Sequence, residues 1–197
     1  MIKQRPRRSS LFPRLVPIFV AACLAFTGAA ALAQAPAQPQ PDAGKLQPGL
    51  ATGYYFANYK DVGEFKPMAR HTGAPVMQLN FPAGSHGNVL TTQSPEGVAA
   101  DIKGFIKLDR PGPWKFRMLS NDGVRVTLGG KQIIDDPSVH ADHMADSPMI
   151  DVKEPGWYEL RVMYFQRKGS WALTLYWQPP GGADDIVPGE AFAHIKD

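Results

Sequence analysis

The chain of 197 residues has a single cysteine, Cys23, and that residue lies in an apolar run near the amino terminus. No internal disulfide can staple the remainder, so its stability must come from packing. Helical periodicity is equally scarce. After residue 33 no stretch repeats its apolar residues at the spacing of an amphipathic helix, which argues against bundles and alternating βα architectures. The chain also has no G-x-S-x-G, no H-E-x-x-H and no cysteine beyond Cys23. Those absences remove the common hydrolase signatures, and no spacing marks two carboxylates as an acid/base pair. A non-enzymatic role is expected.

An excess of charge of one sign is nearly missing too, once the amino terminus is set aside. The opening MIKQRPRRSS is basic, and residues 15–33, LVPIFVAACLAFTGAAALA, are almost wholly apolar and close on Ala31-Leu32-Ala33. This order predicts a signal peptide over 1–33, cleaved before Gln34, and a secreted or periplasmic protein. Two alternatives keep the chain at a membrane: the apolar run as a retained anchor, or a lipid on Cys23, which follows Val20-Ala21-Ala22 like a lipoprotein box. Without residues 1–33 the chain has 16 Lys and Arg against 18 Asp and Glu. The surviving basic residues are scattered, which excludes a nucleic-acid footprint.

Residues 34–48, QAPAQPQPDAGKLQP, are rich in Pro, Ala and Gln and read as an extended, disordered linker. From residue 49 to 195 short apolar runs alternate with period two between Gly, Pro, Asn and Asp breaks. Ile102, Ile106 and Leu108 share one face; so do Trp114, Phe116 and Met118, then Val124, Val126 and Leu128. Later runs place Tyr158, Leu160, Val162 and Tyr164 together, and Trp171, Leu173, Leu175 and Trp177 together. Gly129-Gly130 supplies the positive φ angles of a two-residue hairpin turn. Many short strands at this spacing predict an all-β, antiparallel β-sandwich of jelly-roll type.

Four ordered motifs carry a resemblance to a known family. They are GLATGYYF over 49–56, Ser120-Asn121-Asp122-Gly123-Val124 followed by Gly129-Gly130-Lys131, the run Gly156-Trp157-Tyr158-Glu159-Leu160-Arg161-Val162-Met163-Tyr164-Phe165, and Leu175-Tyr176-Trp177-Gln178-Pro179-Pro180-Gly181. Together they resemble the protective-antigen fourteen-kilodalton domain of anthrax toxin, yeast flocculation adhesins and many secreted bacterial glycosidases. The resemblance spans residues 49–195 and implies a β-sandwich. In the sugar-binding adhesins it also implies calcium held by two consecutive aspartates joined by a cis peptide.

Here the corresponding pair is Asn121-Asp122. An Asn offers a neutral oxygen where the adhesins have a carboxylate, so any calcium site on Asn121 and Asp122 is expected to be weak. The competing reading is that Asn121, Asp122 and Gly123 form only a tight turn, a role each residue favours. By resemblance the loop beginning at Gln166 lies near this turn, which makes Gln166 a candidate for contacting a sugar hydroxyl.

A second polar segment, DDPSVHADHMADS over 135–147, gathers His140, Asp142, His143 and Asp146. It is either a transition-metal site or a solvated loop. Among the aromatics, Trp171, Trp177, Tyr158 and Tyr164 alternate into the expected core, while Trp157, Tyr54, Phe56 and Tyr176 are candidates for exposure to a sugar ring. Two functions remain open. One is an exported, lectin-like carbohydrate-binding module for a glycan or polysaccharide, calcium-assisted, using Asn121, Asp122, Gly123 and Gln166. The other is a structural or assembly module that binds an envelope protein.

Overall fold

The computed structural model describes residues 33–34, 39–65 and 70–196. The expected export signal, Cys23 included, lies outside the described residues except for Ala33, as does most of the first half of the linker. Fifteen strands follow one another: β1 (Ala33–Gln34), β2 (Leu46–Pro48), β3 (Leu50–Phe56), β4 (His71–Val76), β5 (Asn80–Ser85), β6 (Val98–Leu108), β7 (Gly112–Asn121) and β8 (Val124–Leu128). They continue with β9 (Lys131–Asp136), β10 (His143–Asp146), β11 (Ile150–Val152), β12 (Gly156–Gln166), β13 (Trp171–Gln178), β14 (Asp185–Ile186) and β15 (Phe192–Ile195). Among the described residues the only helical pieces are three single turns of 3-10 helix, and none is long and apolar enough to cross a membrane.

Two sheets form. In the first the order is β1-β11-β7-β13-β14, with β10 also on β7 and β5 also on β13. In the second it is β2-β15-β6-β12-β8-β9, with β3 paired to both β6 and β4. Every pairing is antiparallel except the short parallel one between β1 and β11. The period-two faces read from the sequence become the core: Trp114, Phe116, Met118, Trp171, Leu173 and Leu175 from the first sheet join Ile102, Ile106, Tyr158, Leu160, Val162, Tyr164 and Val126 from the second in one buried cluster. Trp177 is only partly buried and packs on Trp114, ring centroids 5.2 Å apart.

Gly129 and Gly130 take φ of 56° and 75° and join β8 to β9. The two-residue turn follows from those angles, which other residues adopt only under strain.

The sandwich reaches back into the expected linker. Leu46–Pro48 pairs with β15 through Ala193↔Pro48 and Ile195↔Leu46. The Gln40 side chain accepts from the Trp157 N–H at 2.7 Å and donates to its carbonyl at 3.3 Å. Without β2, β15 would be an open edge of the second sheet, and an edge recruits whatever backbone is adjacent, even a segment too short to show alternation.

Outside the second sheet a smaller apolar cluster covers its outer face. Val62, Ala99 and Phe165 are fully enclosed, with Tyr55, Tyr59, Phe65 and Met163 against them. The Val62 N–H donates to the Pro137 carbonyl at 3.0 Å, so the 57–65 loop is fixed behind the residues that follow β7.

Candidate functional site

β7 ends at Asn121 in the first sheet, and β8 begins at Val124 in the second. Asn121, the last residue of β7, and the two residues between the strands, Asp122 and Gly123, carry the chain across the end of the sandwich. The peptide bond between Asn121 and Asp122 is cis. Each residue of the crossing is anchored separately. Asn121 pairs with Ala172 of β13, and its carbonyl accepts the Tyr164 hydroxyl at 2.6 Å. Asp122 donates its N–H to the Phe165 carbonyl, and Gly123 accepts from the Phe165 N–H, both at 3.1 Å. A Cβ on Gly123 would lie 2.5 Å from the Pro137 carbonyl oxygen and 2.7 Å from the Phe165 ring. Only glycine fits that gap.

The side chains of the pair have different surroundings. Asn121 donates its amide to Asp142 Oδ1 at 3.0 Å, which leaves its own Oδ1 unpaired among the described residues. Asp122 is 4% exposed. One of its carboxylate oxygens accepts the Arg167 N–H at 2.8 Å, and the other takes no hydrogen bond among the described residues. No Lys, Arg or His among those residues forms an ion pair with it. A buried carboxylate with one hydrogen bond and no counter-charge is costly.

Tyr164 senses the same concentration of negative charge. Burial pushes its phenol well above the ordinary tyrosine value, and the Asp122 and Asp142 carboxylates push it further.

Gln166 lies close by but does not face solvent. It is fully enclosed on the inner side, paired with Val98, and its amide donates to the Gly169 carbonyl at 3.2 Å. Its Oε1 is buried without a partner among the described residues. Gln166 thus shapes the 166–170 loop from inside, and the contact to Asp122 comes from the backbone of its neighbour, Arg167. Sequence patterning did not single out Arg167 or the Tyr164 hydroxyl, because a main-chain donor leaves no residue signature and Tyr164 alternates into the core like any apolar residue.

The polar segment that follows is divided among several partners. Asp136 Oδ2 lies 2.6 Å from His143 Nδ1 and 3.2 Å from His140 Nε2. Asp142 is held by Asn121, and Asp146 pairs with Lys115 at 3.3 Å. Among the described residues no three His, Cys, Asp or Glu side chains converge in a group that could hold a metal. The Asp142 carboxylate, held on the Asn121 amide, is a second acidic group beside the turn.

The aromatic candidates separate clearly. Tyr54 is buried, with its hydroxyl 2.7 Å from Thr91 Oγ1. Lys107 lies over the Trp157 ring and Arg117 over the Tyr176 ring. Phe56 is 51% exposed.

The sequence pattern of the PA14 domain matches residues 46–191. No curated protein matches the chain in sequence. Among solved structures, an anti-sigma factor domain-containing protein is similar at 16% identity and a TM-score of 0.61 over 74% of this chain, which spans about half (48%) of that protein. The PA14 sugar-binding domain from an RTX adhesin is similar at 17% identity over 75% of this chain and 98% of that one, with a TM-score of 0.58. The Candida glabrata epithelial adhesin 9 A domain, solved with Galb1-4GlcNAc, is similar at 13% identity over 80% and 94%, with a TM-score of 0.58. At these identities the likeness to the solved structures is one of fold.

Proposed function

This chain belongs to the PA14 domain family, and from that premise we propose that it is a non-enzymatic carbohydrate-binding module whose site is built on Asn121, Asp122 and Gly123. One observation carries the reading: one oxygen of the Asp122 carboxylate accepts the Arg167 N–H, the other takes no hydrogen bond among the described residues, and no Lys, Arg or His among them pairs with it. The likeness to the RTX adhesin domain and the Candida glabrata adhesin supports a glycan as the ligand.

The residues at the turn fit calcium, which takes oxygen ligands only. Asp122 Oδ1 and Asn121 Oδ1 would hold it. When bound, calcium would supply positive charge to Asp122 and open positions for vicinal sugar hydroxyls. With one carboxylate in place of two, affinity should fall in about the 10⁻⁴ to 10⁻³ M range of extracellular calcium modules. Asp142 orients the Asn121 amide so that its oxygen, not its nitrogen, remains available. Gln166 holds the loop that brings the Arg167 N–H onto Asp122.

Such a site is filled outside the cell, which agrees with the export signal proposed for residues 1–33 and cleavage before Gln34. Mass spectrometry of the exported protein tests that part, and a species beginning at a lipid-modified Cys23 would replace it with an anchored one. The binding part is tested by a glycan array run with and without calcium. Calcium-dependent signal that disappears in Asp122→Ala is expected. Silence in both conditions would leave the envelope-assembly role instead.

A further inference from the structure

The strand ends next to the turn lie in one hydrogen-bonded row. Phe56, the last residue of β3, pairs with Val98, which pairs with Gln166. Beyond them the Ala57 N–H donates to the Gly97 carbonyl, the Gly97 N–H donates to the Arg167 carbonyl, and the Arg167 N–H donates to Asp122. Residues directly opposite one another on neighbouring strands project to the same face. Phe56 and the Asp122 carboxylate therefore stand at the same end of the second sheet. Their backbones are separated by three strand spacings, about 14 Å.

Phe56 is the outlier among the aromatics. Its neighbours along the inward face, Leu50, Thr52 and Tyr54, are buried, whereas Phe56 overhangs the rim at 51% exposure. One side of its ring is supported by His71, with centroids 5.3 Å apart. Between Phe56 and Arg167 the row is floored by Gly97, at φ 66°, whose absent side chain leaves Asn58 as the nearest group. Asn58 and Arg167 have side chains without hydrogen-bond or ion-pair partners among the described residues. A supported, exposed ring, a bare backbone strip and two free polar side chains match the apolar face and hydroxyl edge of a pyranose chain.

We propose that Phe56 is a second glycan-contacting position. It would stack on a sugar one or two residues removed from the one at Asp122, so that the module selects oligosaccharides over single sugars. The proposal rests on the carbohydrate reading above and adds an extended ligand to it.

The test uses calorimetric titration of the full domain with chitotriose, cellotriose and mannotriose, each beside the methyl glycoside of its monomer, in millimolar calcium. For a trisaccharide that binds, Phe56→Ala should weaken affinity roughly tenfold, the size of one lost apolar contact. Phe56→Trp should retain it. The methyl glycoside should bind both variants as it binds the wild type, because it reaches only Asp122, and the melting temperature should stay unchanged. Equal loss for trisaccharide and glycoside, or no loss for either, overturns the role of Phe56 while leaving the Asp122 site standing. Glycosides that bind the wild type as tightly as trisaccharides overturn it too. A wild type that binds none of the six sugars overturns both this proposal and the carbohydrate reading.

Discussion

The Tyr164 hydroxyl donates to the Asn121 carbonyl at 2.6 Å, and this bond ties β12 of the second sheet to the last residue of β7 in the first. The crossing residues are thereby fixed to the core rather than left as a free loop. Tyr164→Phe leaves that carbonyl without its donor and should cost about 1 to 3 kcal/mol at neutral pH. The same residue should govern alkaline stability. Burial, then the Asp122 and Asp142 charges, raise the folded-state phenol above its unfolded value. Its contribution is therefore complete below the unfolded value near 10 and is lost as pH rises through the folded one. Denaturant midpoints measured from neutral to strongly alkaline pH should fall steeply in the wild type and less steeply in Tyr164→Phe. Tyr54, Tyr59 and Tyr158 are raised too, chiefly by burial, so a slope remains in Tyr164→Phe. Identical slopes would mean that Tyr164 is not the group responsible.

Gly123 is the tightest position of the crossing. Its absent Cβ leaves room for the Pro137 carbonyl and the Phe165 ring at 2.5 and 2.7 Å. Both neighbours are fixed, Phe165 by its ladder with Ala99 and Pro137 by the Val62 N–H. Gly123→Ala should therefore destabilise by about 1 to 3 kcal/mol through overpacking. It should also weaken ligand binding, because the displaced turn carries Asp122. A variant with wild-type melting and binding would show that the crossing can relax at no cost.

The fold was legible because period-two alternation survives wherever a strand is buried on one face, as along Trp114, Phe116 and Met118. It was less legible in β13. Ala172 and Thr174 are buried as fully as Trp171 and Leu173, so both faces of that strand are covered and no exposed face is left to alternate. The Leu46–Pro48 strand was hidden in Pro-rich sequence because three residues paired along one edge require no alternation. At the site, Asn121, Asp122 and Gly123 were visible as turn residues. Their partners were not, since the Arg167 N–H and the Asn121 carbonyl are main-chain groups that any residue type supplies. The sequence leaves Tyr54 without a clear face, whereas the structure buries it. Its buried hydroxyl is satisfied by Thr91, which lies 37 positions away.

Trp171 tests the core assignment directly. It is 3% exposed, and its ring stacks obliquely on Phe81 with centroids 5.0 Å apart. Trp171→Ala should cost on the order of 3 to 5 kcal/mol through the cavity it leaves. Trp157, on the outer side under Lys107, should tolerate the same change at much smaller cost. Thermal melts of the two variants should therefore separate widely, and a Trp171→Ala melt equal to that of the wild type would contradict the packing.

Asp122 links stability to ligand binding in a way that fixes the sign of two effects. Without calcium its carboxylate is buried with a single hydrogen bond, from Arg167, and no counter-charge among the described residues. Asp122→Asn keeps an oxygen for the Arg167 N–H and removes the charge, so in chelator it should match or exceed the wild type in stability. Calcium should reverse the order. At ten times the dissociation constant a bound ion stabilises by about 1.4 kcal/mol, a rise of roughly 3 to 6 °C in melting temperature for a domain of this size. Asp122→Asn should show none of that rise. Magnesium should give a smaller shift than calcium, because it demands a stricter octahedral set of oxygens than the turn offers. A wild type that melts identically in chelator and in millimolar calcium would remove the cation from the site, and a shift of equal size in Asp122→Asn would move it elsewhere on the protein.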